Sequence, residues 1–132
     1  MRHHIDITVN WSDIDAYQHV NNSIYLRWLE SARIDFASMH LSKTCQFIVA
    51  KIEITYLKPV YFPDLVRCES FIRKLGNSST TMHTDVFSKQ QQTLVASSDV
   101  VLVHFDYAQK KSIQWPNAIR EQLRAFSVQD GS

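Results

Sequence analysis

Two carboxylates, a histidine and two asparagines lie together in the segment WSDIDAYQHVNNSIYLRW, residues 11–28. Asp13 and Asp15 are separated by one residue, so on an extended backbone their side chains point to the same side. Asp15 stands shortly before a predicted helix, where backbone N–H groups lack partners and the helix dipole favours negative charge. A carboxylate there can serve as a helix cap. It can also attack an electrophile or activate water while the N–H groups stabilise an oxyanion, which suits acyl transfer.

The neighbouring polar residues have two interpretations each. His19 follows Asp15 by four residues and can share a pocket with it, as a general base or a substrate-orienting group. It can equally be an ordinary polar loop residue. The side chains of Asn21 and Asn22 are typical capping groups, whereas their backbone N–H groups are candidate oxyanion donors.

One long helix and several strands must position this segment. Alternating apolar residues predict a strand over 4–10. An apolar repeat at i, i+3, i+4, i+7 and i+11, which begins at Tyr25, predicts an amphipathic helix that is capped by Asn22 or Ser23 and ends near Met39. The remaining predicted elements are strands at 46–57, 65–75, 78–89 and 93–107 and a short helix at 117–126.

This order predicts an α+β fold in which one helix lies across an antiparallel sheet. A single sheet leaves apolar surface uncovered unless something packs against it. Long strand edges also favour pairing with a second subunit. A homodimer is therefore expected on physical grounds.

The composition excludes several function classes. The 132 residues match one domain, which we predict to span 1–132. Lys+Arg 14 against Asp+Glu 13 lacks the basic excess of a non-specific nucleic-acid binder. No apolar stretch approaches the ~20 residues that cross a bilayer, so we expect no membrane insertion. With only Gly76 and Gly131 and no GxSxG sequence, a glycine-rich phosphate loop and a serine-hydrolase elbow are excluded.

Neither the cysteines nor the histidines show a metal-binding pattern. Cys45 and Cys68 lack a CxxC spacing, which favours a reduced pair in a cytoplasmic protein. Ligand spacing is likewise absent among the other histidines, namely His3, His4, His40, His83 and His104. We therefore expect no metal site.

The run DIDAYQHVNNSIYLRWLESARIDF resembles the signature of hotdog-fold acyl-CoA thioesterases of the 4-hydroxybenzoyl-CoA thioesterase type. It is most similar to the long-chain acyl-CoA thioesterases of that group, in which a DxYQHVNNxxYLxxLExAR run occurs. The similarity continues through EITYLKPVYFPD (53–64), RKLGNSS (73–79) and VVLVHFD (100–106). The resemblance implies a curved antiparallel sheet wrapped around one long central helix. It also implies a homodimer, assembling further into a homotetramer, with two active sites at the subunit interface.

The resemblance also assigns roles to single residues. Asp15 matches the catalytic carboxylate, and the N–H near Asn22 matches the donor to the thioester oxygen, with His19 beside them. Two positions depart from relatives: Gln18 stands where many carry glycine, and Tyr17 replaces the asparagine of the similar plant acyl-ACP thioesterases. The three-residue mechanism of those plant enzymes therefore does not carry over whole.

Substrate binding is assigned to residues outside the catalytic segment. Cations are needed for the phosphates of CoA, backbone donors for its pantetheine arm, and apolar walls for the acyl chain. Each candidate also has a plain interpretation as surface charge, hairpin turn or core residue. The candidates are Lys58, Arg73 and Lys74 for the phosphates, Gly76 and Ser78 for pantetheine, and Tyr25 for the acyl wall.

The resulting hypothesis is hydrolysis of a fatty or aromatic acyl-CoA to the free acid and CoA. CoA is then part of the substrate, and no cofactor is expected. Within the same fold, a dehydratase and an acyl-ACP thioesterase are alternatives. A non-catalytic acyl-CoA-binding domain is a third, although binding alone does not require a carboxylate aimed at the carbonyl.

Overall fold

A computed structural model describes residues 1–127. Both predicted helices and all five predicted strands are present, with bounds within two residues of those expected. A 3₁₀ turn at Trp11–Asp13 and a two-residue strand were not expected, and residues 128–132 of the predicted domain lie outside the described residues. The elements are β1 (His3–Thr8), α1 (Asn22–His40), β2 (Phe47–Tyr56), β3 (Leu65–Leu75), β4 (Ser79–Ser88), β5 (Thr93–Asp106), β6 (Lys111–Ser112) and α2 (Asn117–Arg124).

The strands form one antiparallel sheet in the order β1-β3-β4-β5-β2, with β6 pairing to β5. Each of the three longest pairings contains a register shift, at Val49/Lys51, Ile72/Lys74 and Val86/Phe87. Such bulges bend a strand and increase its twist. They give the sheet the curvature needed to wrap around a helix.

Helix α1 lies in the concave face of this sheet. The predicted apolar stripe is confirmed, because all five of its members are buried: Tyr25, Trp28, Leu29, Ala32 and Phe36. The first four belong to a core cluster with Val66 and Val95, and Phe36 joins a second cluster with Ile72 and the apolar face of α2. The two halves of α1 therefore mark the two ends of the core.

Strand β2 is an edge strand with apolar side chains that face solvent. Val49, Ile52 and Tyr56 are 38%, 40% and 43% exposed. An edge of this kind presents unpaired backbone groups beside apolar surface, which is a template for pairing with another chain. The observed edge supports the expectation of a second subunit without showing one.

The buried side chain of His3, in β1, contacts the C-terminal part of α1. His3, at the start of β1, is 5% exposed. Its Nδ1 lies 3.0 Å from Nε2 of His40 in the last turn of α1, and its Nε2 lies 2.9 Å from Oδ2 of Asp35. Burial lowers the pKa of His3, with Asp35 acting in the opposite direction.

This lowered pKa predicts a loss of stability in mild acid. Below the unfolded pKa of about 6.5 the unfolded chain binds a proton that the folded chain resists, so the free energy of unfolding falls as the pH decreases through about 6.5 towards the lower pKa of the folded state. The variant His3→Gln should lose this part of the pH dependence in urea unfolding, whereas the exposed His4→Gln should keep it. Equal slopes for His3→Gln and the wild type would contradict the assignment.

Candidate active site

Asp13 has a structural role in the loop before α1. Its side chain is 6% exposed, and Oδ2 accepts a hydrogen bond from the N–H of Asn10 at 2.9 Å. Its carbonyl accepts from the N–H of Asn21 at 3.0 Å. These bonds tie the 3₁₀ turn to the start of α1, so Asp13 supports the loop that carries Asp15.

Asp15 lies in a tight loop that returns the chain to α1. Its N–H donates to the carbonyl of His19 at 3.0 Å, and its carbonyl accepts from the N–H of Gln18 at 3.1 Å. The N–H of Tyr17 donates to Oδ1 of Asp15 at 2.8 Å. Oδ2 accepts no hydrogen bond from any residue between 1 and 127. The backbone thus orients a partly buried carboxylate and leaves one oxygen available for chemistry.

The loop turns through Gln18, whose φ is 71°. This is the left-handed region, which glycine adopts without strain and other residues adopt at a cost of about 1–2 kcal/mol. Gln18 therefore follows the backbone path that a glycine would take, and its side chain is exposed. Gln18 in place of glycine therefore adds an exposed side chain, and the backbone still reverses direction at this position.

The start of α1 supplies a backbone N–H group. The capping residue is Asn21, one position before the expected Asn22 or Ser23, and its Oδ1 accepts from the N–H of Ser23 at 2.9 Å. As the first residue of the helix, Asn22 has no intrahelical acceptor for its N–H. Within the described chain, no other group accepts this N–H either. It is the free donor that an oxyanion requires.

A depression of about 190 Å³ lies beside this N–H. Four of the predicted site residues line it, together with Tyr56 at the end of β2: His19, Asn22, Tyr25 and Lys58. The segment before α1 and the segment after β2, which form the two sides of the depression, are joined by a hydrogen bond from the N–H of Val20 to the carbonyl of Val60 at 2.8 Å. Asp15 adjoins the depression through its bond to His19. Two larger surface hollows beside Lys89, of about 430 and 440 Å³, contain none of the predicted residues.

Tyr25 forms the floor of this depression. It is 2% exposed, and burial raises its pKa to about 12, so the phenol is neutral near pH 7. Its ring packs perpendicular to that of Tyr56, with centroids 5.0 Å apart, and against Trp28 at 4.8 Å. Tyr25 is therefore primarily a core residue with one edge towards the depression.

A family model described as the thioesterase-like superfamily matches residues 9–123. The chain belongs to this superfamily. It is 30% identical over 125 residues to the long-chain acyl-CoA thioesterase FadM of Escherichia coli strain K12, which covers 89% of this chain and 93% of FadM. The predicted family resemblance and thioester hydrolase class are thereby confirmed.

Solved structures of thioesterases share the fold. A thioesterase from Thermus thermophilus, complexed with coenzyme A and Zn, superposes with a TM-score of 0.83 at 30% identity, covering 92% of this chain and 96% of its own. A predicted thioesterase from Bacillus stearothermophilus gives a TM-score of 0.88 at 24% identity, covering 99% and 100%. The predicted hotdog fold is confirmed by these likenesses.

Four predicted substrate-binding residues of this thioesterase-like chain lie far from Asp15: Arg73, Lys74, Gly76 and Ser78. Leu65, at the start of β3, pairs with Thr8 beside the Asp15 loop. Arg73 lies eight residues further along β3, which places it about 26 Å from Leu65. Within one chain, the fold does not bring these four residues to the catalytic segment.

The partners of these residues also limit their availability. Nε of Arg73 lies 3.3 Å from Oδ1 of Asp99, and its Nη2 lies 2.9 Å from Nδ1 of His83. The N–H of Gly76 donates to the carbonyl of Ser79 at 2.8 Å, so this N–H closes the hairpin and is not free for pantetheine. The roles of the other three residues stay predictions.

Neither cysteine is suited to nucleophilic chemistry. Burial raises the pKa of Cys45 to about 11 and that of Cys68 to about 12. Because the thiolate is the reactive form, both thiols are poor nucleophiles near pH 7.

Two absences can be stated for residues 1–127. Within that range, no three histidine, cysteine, aspartate or glutamate side chains are grouped to hold a metal ion. None of the helices described there is both long and apolar enough to cross a membrane. The expectation of a metal-free and cofactor-free protein stays a prediction.

Sequence reasoning missed Tyr56 as a site residue. Its hydroxyl donates to the carbonyl of Asn22 at 3.3 Å, and its ring lines the depression. The only available signal was its place in EITYLKPV, directly before the segment that contains Lys58. An alternating strand pattern does not indicate which distant backbone group a tyrosine hydroxyl will contact.

Proposed function

We propose that this chain hydrolyses acyl-CoA thioesters of fatty or aromatic acids to the free acid and CoA. The observation that carries the proposal is that the free N–H of Asn22 borders a depression also lined by His19, whose carbonyl accepts from the N–H of Asp15, in the loop that orients the Asp15 carboxylate. The likeness to FadM, a long-chain acyl-CoA thioesterase, and to a thioesterase complexed with coenzyme A supports the substrate class.

Two chemical routes are consistent with this geometry. In one, the free oxygen of Asp15 attacks the thioester carbonyl, expels the CoA thiolate and forms a mixed anhydride that water then cleaves. In the other, Asp15 takes a proton from water as the water oxygen attacks the carbonyl, and the tetrahedral intermediate then expels the CoA thiolate, which the proton held by Asp15 neutralises. In both routes the carbonyl oxygen becomes an oxyanion that the Asn22 N–H stabilises, by on the order of 3 kcal/mol for a well-placed donor. His19 orients substrate or water.

A single turnover in isotopically labelled water can identify the anhydride route. Attack of water on the Asp15 carbonyl of the mixed anhydride would leave a solvent oxygen in the Asp15 side chain, which mass spectrometry of the peptide that contains Asp15 detects. The general-base route leaves that side chain unlabelled, as does attack of water on the acyl carbonyl of the anhydride.

The catalytic unit is a homodimer, which assembles further into a homotetramer, in this proposal. Exposed apolar side chains on the β2 edge support a partner there. Because Tyr56 and Lys58 at the end of β2 line the depression, a partner on this edge would lie next to the site. The volume of about 190 Å³ is smaller than the roughly 300–1,000 Å³ usual for ligand pockets, so a second subunit is needed to enclose an acyl chain.

The phosphates of CoA are bound by exposed cations in this proposal. Lys58 lies at the rim of the depression and is the cation best placed in one chain. Arg73, Lys74 and Ser78 lie at the far end of β3 and in the hairpin that follows it, so in this proposal they reach a CoA molecule only if they belong to the partner's site. Acyl preference and the choice between CoA and acyl-carrier protein are decided by the assembled pocket.

The variant Asp15→Asn should lose turnover by about 10²–10⁴-fold, because the amide can neither attack nor accept a proton. It keeps an oxygen for the Tyr17 N–H, so thermal stability should be unchanged. CoA release is followed with a thiol reagent. Asp106→Asn is the matched control, since that carboxylate also accepts backbone N–H groups in a turn, from Ala108 and Gln109. Unchanged kcat in Asp15→Asn would refute the catalytic assignment.

The same assay tests the alternative functions. Binding of acyl-CoA by the wild type without release of CoA would indicate a non-catalytic binding domain. Formation of an enoyl product would indicate a dehydratase. Selective release from acyl-carrier protein would indicate an acyl-ACP thioesterase.

The variant Ile52→Lys should shift the protein to monomers and abolish most activity, because a charge at the centre of β2 opposes strand pairing. Sedimentation velocity measures the assembly. Met39→Lys, which changes another exposed apolar side chain at the end of α1, should leave the dimer intact. A dimeric, active Ile52→Lys protein would place the interface elsewhere.

The variant Lys58→Ala should raise KM for acyl-CoA by up to about fivefold with little change in kcat, because an exposed ion pair contributes up to about 1 kcal/mol. The difference should shrink at high salt. Lys43→Ala, another exposed lysine, is the control. A KM that matches the control would remove Lys58 from the binding site.

A further inference from the structure

The hydroxyl of Tyr56 contacts the residue that supplies the proposed oxyanion donor. It donates a hydrogen bond to the carbonyl of Asn22 at 3.3 Å. Asn22 is the first residue of α1, and helix ends fray unless something holds them. The Asn21 side chain accepts a hydrogen bond from the N–H of Ser23 and makes no such bond to Asn22. Tyr56 provides the hydrogen bond from the sheet to this residue.

The surrounding structure fixes the Tyr56 side chain. Its ring meets the buried ring of Tyr25 edge-on, at 5.0 Å and 87°, one turn along α1 from Asn22. Its backbone pairs with Ala96 in β5. The two following N–H groups, of Leu57 and Lys58, both donate to the carbonyl of Val95, at 2.9 and 3.1 Å. The position of the hydroxyl is therefore fixed by the ring contact with Tyr25 and by the backbone pairing on both sides of Tyr56.

We propose that Tyr56 is a positioning residue that holds Asn22 so that its N–H points at the thioester oxygen. The hydroxyl touches the Asn22 carbonyl and acts on the reaction only through that residue. This role rests on the proposed thioesterase function. Its expected signature is a loss of kcat at constant KM, because the oxyanion forms after the substrate has bound.

Tyr107 provides a matched control within the same protein. Its hydroxyl donates to the carbonyl of Phe47 at 3.2 Å, at the opposite end of β2 from Tyr56. The two tyrosines are similarly exposed, 52% for Tyr107 and 43% for Tyr56. Each variant to phenylalanine therefore removes one tyrosine-to-backbone hydrogen bond at one end of the same strand.

The experiment compares wild type, Tyr56→Phe and Tyr107→Phe in CoA release, thermal unfolding and sedimentation. Tyr56→Phe should lower kcat by about tenfold, a part of the 10²–10³-fold effect of deleting an oxyanion donor, with KM within about twofold. Tyr107→Phe should keep wild-type kinetics. Both variants should show the same thermal midpoint and the same assembly as the wild type.

Several results would overturn this role. An active wild type with an equally active Tyr56→Phe would do so, as would equal losses in both variants. A rise in KM alone would assign the hydroxyl to substrate binding, and a change in assembly would assign it to the subunit interface. A wild type that releases no CoA would instead refute the proposed function, and the positioning role with it.

Discussion

The unpaired backbone N–H at the start of α1 is the constraint on which the site depends. A helix cannot satisfy its own first N–H groups, so a protein must cap them, solvate them or use them. Here the Asn21 side chain caps the N–H of Ser23, and within residues 1–127 the N–H of Asn22 has no acceptor. The Asp15 loop, the end of β2 and the Val20–Val60 hydrogen bond are all arranged around this point.

The core explains why this helix end stays in place. The first half of α1 is buried against β3 and β5, and its second half is covered by α2 as well as by the sheet. Asp13 then joins the 3₁₀ turn to Asn21, and the loop reverses at Gln18 in a strained backbone conformation. Packing fixes the helix, and hydrogen bonds fix the carboxylate relative to it.

Sequence reasoning predicted the elements because their patterns are local. The apolar stripe of α1 and the alternation of β1 are repeated over several turns or residue pairs, so each was placed within two residues. The cap at Asn21 was missed by one position, since Asn21 and Asn22 are equally good capping residues in isolation. Asp15 and the N–H of Asn22 were proposed from their positions around the start of the helix and from the resemblance, and their catalytic roles stay predictions.

The contacts between distant elements could not be predicted in the same way. Whether Arg73 faces CoA or pairs with Asp99 and His83 depends on the register of three strands, which the sequence does not reveal. The bond from Tyr56 to Asn22 depends on how the end of β2 meets the first turn of α1. Both are consequences of tertiary packing, and both bear directly on the chemistry of the site.

The central claim is that this chain turns over acyl-CoA. The most direct test incubates the purified protein with short-chain, long-chain and aromatic acyl-CoAs and measures free thiol continuously. The account predicts release of many equivalents of CoA per protein chain from at least one of these thioesters. Tight binding of acyl-CoA without thiol release from any of them would contradict it.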